Sequence, residues 1–115
     1  MTLDEIRIVV RDALEACREA AQDHDNQLGA EQSRGLDCGF AWVVCKPGNG
    51  TLARVLKEFG ADKHHAGGVS LWNPAKLSTQ SIGPKETGAR VFVNYVKDAL
   101  RQNGYTDLFY ASRLD

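Results

Sequence analysis

Lys46, Pro47, Gly48, Asn49, Gly50 and Thr51 follow a strongly apolar run and precede a helical pattern, a placement suited to holding an anion. Glycines let backbone N–H groups approach a charged atom, a helix start leaves several such groups unpaired, and Thr51 adds a hydroxyl. Lys46 and Arg54 bring positive charge to the same turn. The run is neither a Walker A sequence, which needs Gly-Lys-Ser/Thr, nor a dinucleotide fingerprint. A plain tight turn feeding a helix is its commoner explanation.

Three other groups could contribute chemistry. If the strands of this chain run parallel, their C-terminal ends put Asn73, Lys76, Ser112 and Arg113 on the edge that carries Lys46, Gly48, Asn49, Gly50 and Thr51, and open α/β sheets take ligands there. These nine residues form the expected ligand-binding set. Lys63, His64 and His65, followed by Gly67 and Gly68, make a secondary basic loop. Its bland reading is a solvated loop, and its functional one is contact with a nucleotide or oligonucleotide backbone. Lys85 and Glu86 open a helix that could face the same edge. Arg113 suits phosphate or carboxylate, and could equally pair with Asp115 or the terminal carboxylate.

Metal and covalent chemistry find less support. Adjacent side chains such as Asp23, His24 and Asp25, or His64 and His65, diverge and make poor joint ligands. Cys38 and Cys45 lie at odd spacing along one strand and face opposite sides. Cys45 reads as a small core residue, and nothing ties Cys38 to His64 or His65 as nucleophile and base. No catalytic residue, metal site or cofactor is expected.

The elements that must position these residues fit within one domain spanning residues 1–115. The chain has 115 residues, 43% of them hydrophobic and 25% charged, which suits a single core and excludes a multidomain enzyme. Its net charge of −1 hides an asymmetry. Residues 1–37 carry nine acidic and four basic groups, and the remainder carries six and ten. Bulk attraction to nucleic acid is therefore not expected, although a local anion site is compatible with this distribution. No run approaches the roughly 20 apolar residues of a membrane span, the acidic opening Asp4, Glu5 is unlike an export signal, and the three cysteines suit a reducing cytoplasm. The expected location is the cytoplasm, with no membrane partner.

Thr2 and Glu5 have capping-box spacing, and Ile6, Val10, Ala13, Cys17 and Ala20 mark one face of an amphipathic helix within residues 1–22. A polar loop is expected over 23–37, followed by an α/β body over 38–115. Gly39 to Cys45, apolar without alternation, predicts a strand buried on both faces at the centre of the sheet. Thr51 to Gly60 predicts a short helix on Leu52, Val55, Leu56 and Phe59. Val69 to Trp72 predicts a strand, Pro84 to Gly104 a helix, and Leu108 to Ser112 a last strand. The expected fold is α/β: an N-terminal helix, then β-α-β-α-β, with a small three-stranded sheet, mostly parallel or mixed. Two layers, with Trp72 or Tyr110 over the helix-free face, are expected as much as three.

Cys38, Gly39, Phe40, Ala41, Trp42, then Lys46, Pro47, Gly48, and the closing Tyr110, Ala111, Ser112, Arg113, Leu114, Asp115 resemble a family of small uncharacterised proteins encoded by phages and prophages. The resemblance covers residues 38–115. It brings no established activity; it implies a small accessory role in an infected or lysogenic cell, of which countering host defence is one form.

The leading expectation is a non-enzymatic protein that binds a host protein or an anionic small ligand such as a nucleotide. The alternative is a small enzyme on nucleotides or phosphate esters using Lys46, Thr51, His64 and Arg113. A third reading is a homodimer formed through the N-terminal helix.

Overall fold

A computed structural model describes residues 2–34, 39–76, 82–100 and 107–114, with side chains at all of these but 28–34 and 107. In chain order the elements are α1 (Leu3–Arg34), β1 (Gly39–Lys46), α2 (Thr51–Glu58), β2 (Asp62–Lys63), β3 (Val69–Trp72), α3 (Ile82–Leu100) and β4 (Asp107–Leu114). The four strands form one sheet in the order β2-β3-β1-β4, with every neighbouring pair antiparallel. After α1 the element order is β-α-β-β-α-β, the split βαβ arrangement.

The α/β class is as expected, but the three-stranded, mostly parallel sheet is not. The short pair Asp62–Lys63 is the missed strand. It forms a hairpin with β3, closed by the His64 N–H donating to the Gly68 carbonyl at 2.9 Å. That hairpin reverses the chain before β3, so β3 returns antiparallel to β1 where a direct crossover would have made it parallel.

α1 opens as its spacing predicts. The Glu5 N–H donates to Thr2 Oγ1 at 3.1 Å and the Thr2 N–H to Glu5 Oε1 at 3.2 Å, the reciprocal pair of a capping box. The helix then runs to Arg34 instead of stopping near residue 22. Most of the expected 23–37 loop is therefore helix, with 35–38 outside the described residues. Two contacts favour this continuation: Gln22 Nε2 donates to Asn26 Oδ1 at 2.9 Å, and His24 Nδ1 lies 2.6 Å from Thr87 Oγ1 of α3. A polar helix without apolar periodicity is held there by tertiary contacts that composition does not reveal.

Ile6, Val10, Ala13, Leu14, Cys17 and Ala21 are buried against α3 and α2. The apolar stripe of α1 thus lies inside the molecule, while Ile8 on the same helix is exposed. Arg7 fastens α1 to α2, its Nε donating to Glu58 Oε1 at 2.8 Å. The helices cover one face of the sheet: α3 lies over β1 and β4, and α2 over β1 and β3. Ala41, Val43 and Cys45 of β1, Val69 and Leu71 of β3, and Leu108 of β4 meet Phe92, Val96, Leu52 and Leu56 in one core.

Candidate functional site

Side chains alternate along a strand, so residues one step from the core positions belong to the opposite face of the sheet. On β1 these are Phe40, Trp42, Val44 and Lys46; the antiparallel register adds Ser70 and Trp72 from β3 and Phe109, Ala111 and Arg113 from β4. No described helix covers this face. β1 is therefore not buried on both sides as its apolar run predicted: Phe40 and Trp42 are only partly buried, and Trp72 is 54% exposed. Of the two residues expected over the helix-free face, Trp72 lies there. Tyr110 pairs with Val43 and takes the other side.

Trp42 and Trp72 occupy directly opposed positions and stack, with ring centroids 5.2 Å apart and planes 14° from parallel. Phe40 leans on Trp72 at 5.4 Å. Lys85 Nζ lies 5.2 Å from the Phe40 ring, within cation–π range, and donates to the Gly39 carbonyl at 2.9 Å. Lys85 is only 8% exposed, so it serves as an internal prop and not as a ligand residue at the sheet edge.

A shallow cavity of about 390 Å³ sits over the tryptophan stack and is lined by Trp42, Trp72, Ser70, Lys63, His64, His65 and Arg113. The β2–β3 hairpin brings three of the four basic groups. Its turn depends on Gly67 and Gly68, both at positive φ, with the Gly67 N–H donating to the His64 carbonyl at 3.0 Å. The His64 and His65 rings lie 4.3 Å apart. Desolvation, then the charges of His65 and Lys46, holds His64 below the ordinary histidine range. The neutral imidazole is thereby favoured.

The expected ligand-binding set is divided. Antiparallel strands put the C-terminal end of β1, with Lys46, Gly48, Asn49, Gly50 and Thr51, at one end of the sheet, and Asn73, Lys76, Ser112 and Arg113 at or towards the other. The expected common edge required parallel strands and does not exist. Lys46 and Arg113 still share the open face. Ser112 lies on the helix face, where its hydroxyl donates to Glu86 Oε2 at 2.6 Å and ties β4 to α3. Asn73 turns the chain after β3 at φ 45°, its N–H donating to the Ala41 carbonyl at 3.0 Å, and Lys76 follows at φ 53°.

The glycine turn has a packing role. A Cβ on Gly48 would stand 3.3 Å from Gly68 Cα, so the β1–α2 turn and the β2–β3 hairpin touch backbone to backbone. Gly50 caps α2 without a side-chain hydrogen bond, and its N–H donates to the Pro47 carbonyl at 3.2 Å.

Of the enzyme set, Lys46 and Arg113 belong to the open face and His64 lines its cavity, but Thr51 belongs to the start of α2. Among the described residues no hydroxyl hydrogen-bonds to His64 or His65, and no three His, Cys, Asp or Glu side chains converge as a metal set. Cys38 lies outside the described residues. Cys17 and Cys45 are buried, and burial pushes the Cys17 thiol up to about 12. No helix among the described residues is long and apolar enough to cross a membrane.

Sequence reasoning missed the two tryptophans as site residues. The available signal was period two in Phe40 and Trp42, joined to a second strand that ends in Trp72. Comparison with protein-family models, with curated proteins and with solved structures finds no match for this chain.

Proposed function

We propose that the protein is a non-enzymatic binding protein whose open sheet face takes a nucleobase-bearing anion of the nucleotide class. One observation carries this reading: the exposed Trp42–Trp72 stack lines the same cavity as Lys63, His64, His65 and Arg113. Flat indole surface suits the π-face of a base, and Lys63 and Arg113 beside it suit a phosphate. Aromatic residues on a four-stranded sheet are one established way for proteins to stack bases. That analogy is only of architecture, and the argument rests on this cavity's own residues.

The resemblance to phage-encoded accessory proteins fits this proposal, because sequestering a host nucleotide is one way to act against host defence without catalysis. Titration of the two tryptophans' fluorescence with adenosine and uridine 5′-monophosphate tests the reading. Saturable quenching is expected, and Trp72→Ala should weaken it by about tenfold. Absence of quenching and of calorimetric heat across both nucleotides would overturn it and leave binding of a host protein as the reading to pursue.

A further inference from the structure

The open face holds a second aromatic station besides the tryptophan stack. Phe109 of β4 pairs with Val44, is 37% exposed, and has Lys46 Nζ at 6.0 Å from its ring. Trp42 lies two residues from Val44 along β1. One strand spacing and a two-residue rise therefore separate Trp42 and Phe109 by roughly 8 Å across the face. Val44 between them is fully buried, so the floor joining the stations is apolar and closed.

Lys46 lies beyond the Phe109 station, two residues past Val44 along β1 on the side away from Trp42. It faces Phe109 on one side, and on the other its side chain runs along the β2–β3 hairpin, 4.0 Å from where a Cβ on Gly67 would stand. Its charge is also felt by His64, which lines the tryptophan cavity. A cation beside the second aromatic station suits the phosphate of a nucleotide stacked there, whereas a free mononucleotide would use only one station.

Building on the nucleotide-class reading above, we infer that the natural ligand is a single-stranded nucleic acid, with one base on Trp42 and Trp72, the next on Phe109, and Lys46 at the phosphate on the far side of that second base. The modest net charge of the chain leaves this binding to local cations of the open face, Lys46 and Arg113, with Asp62 as an acidic residue that the register puts on the same face.

The test compares 5′-UMP with oligo(U) and oligo(dT) of two, four and eight nucleotides in fluorescence titrations at fixed salt. The expected result is affinity at least about tenfold higher for the dinucleotide than for UMP, with a salt dependence that steepens with length. Phe109→Ala should remove most of that gain while leaving UMP quenching unchanged, and Lys46→Gln should reduce the gain. Equal affinity for UMP and the oligonucleotides would overturn this inference and leave the nucleotide reading standing. Absence of binding by all of them would overturn both. A difference between oligo(U) and oligo(dT) would tell an RNA ligand from a DNA one.

Discussion

Trp42 and Trp72 face each other across the β1–β3 ladder and stack at 5.2 Å on the side of the sheet that no described helix covers. Aromatic pairs of this kind add about 0.5–1.5 kcal/mol of stability beyond their area burial. In the proposed reading the pair is a preformed surface, with Lys63, His64 and His65 held beside it by a hairpin whose turn has positive φ at Gly67 and Gly68.

Binding and stability should separate at this pair. Trp72→Ala removes a largely exposed ring and should cost about 1 kcal/mol of stability, on the scale of a lost aromatic pair. Trp42 is more buried, and Trp42→Ala should cost more. Both variants should lose nucleotide binding to a similar degree, which thermal melting together with calorimetric titration will check.

Affinity should depend on pH through His64. Its pKa lies below the ordinary histidine value in the free protein, and a bound phosphate favours the protonated ring, so binding takes up a proton. Affinity for a cyclic mononucleotide, whose phosphodiester keeps one charge, should rise as pH falls through the histidine range and level off below the free-protein pKa. In His64→Gln the rise should shrink markedly. Isothermal titration in buffers of different ionisation enthalpy reads the proton uptake directly.

The hairpin turn should tolerate no side chain at Gly68. This residue sits at φ +77°, and a Cβ there would collide with the Cys45 carbonyl and come within 2.7 Å of Lys46 Cγ. Gly68→Ala should destabilise the fold by about 2 kcal/mol or more, from combined strain and collision. Gly60 is also at positive φ but has nothing within 4 Å, so Gly60→Ala should cost less. Chemical denaturation of the two variants makes the comparison.

Lys85 should prove structural. Lys85→Met keeps much of the buried stem but leaves the Gly39 carbonyl without the 2.9 Å donor, a loss of about 1–3 kcal/mol. Nucleotide affinity measured on the folded fraction should be unchanged. A loss of affinity with full stability would assign Lys85 to the site.

Cys17 should be inert until the protein unfolds. It is buried and its thiol is pushed up to about 12, so alkylation at pH 8 followed by peptide mapping should leave it unmodified in native protein and modified in denaturant.

Much of the fold was legible. The capping box, α2, β3 and the body of α3 follow from spacing, because each buries a stripe that its own period reveals. The direction of the strands was not legible. It turned on β2, two exposed residues with no apolar signature, and without that hairpin the crossover rule points to parallel neighbours. The extension of α1 depends on contacts such as His24 with Thr87, which join residues 63 positions apart.

The site was legible only in pieces. Lys46, Arg113 and the His64–His65 loop carry their chemistry in their residue types, but their meeting place follows from register. A continuous apolar run reads as doubly buried, and Phe40 and Trp42 in it passed for core. Only the layering, with helices on one face, makes them a surface.

The central claim is that the tryptophan stack is the ligand's seat. The chain contains two tryptophans, so a ¹H–¹⁵N correlation spectrum carries two indole signals, one for each ring of the stack. On titration with uridine 5′-monophosphate both should shift, together with the backbone amides of His64, His65 and Ser70, while the amides of α1 stay in place. Indole signals that remain unmoved at saturating nucleotide would contradict the account.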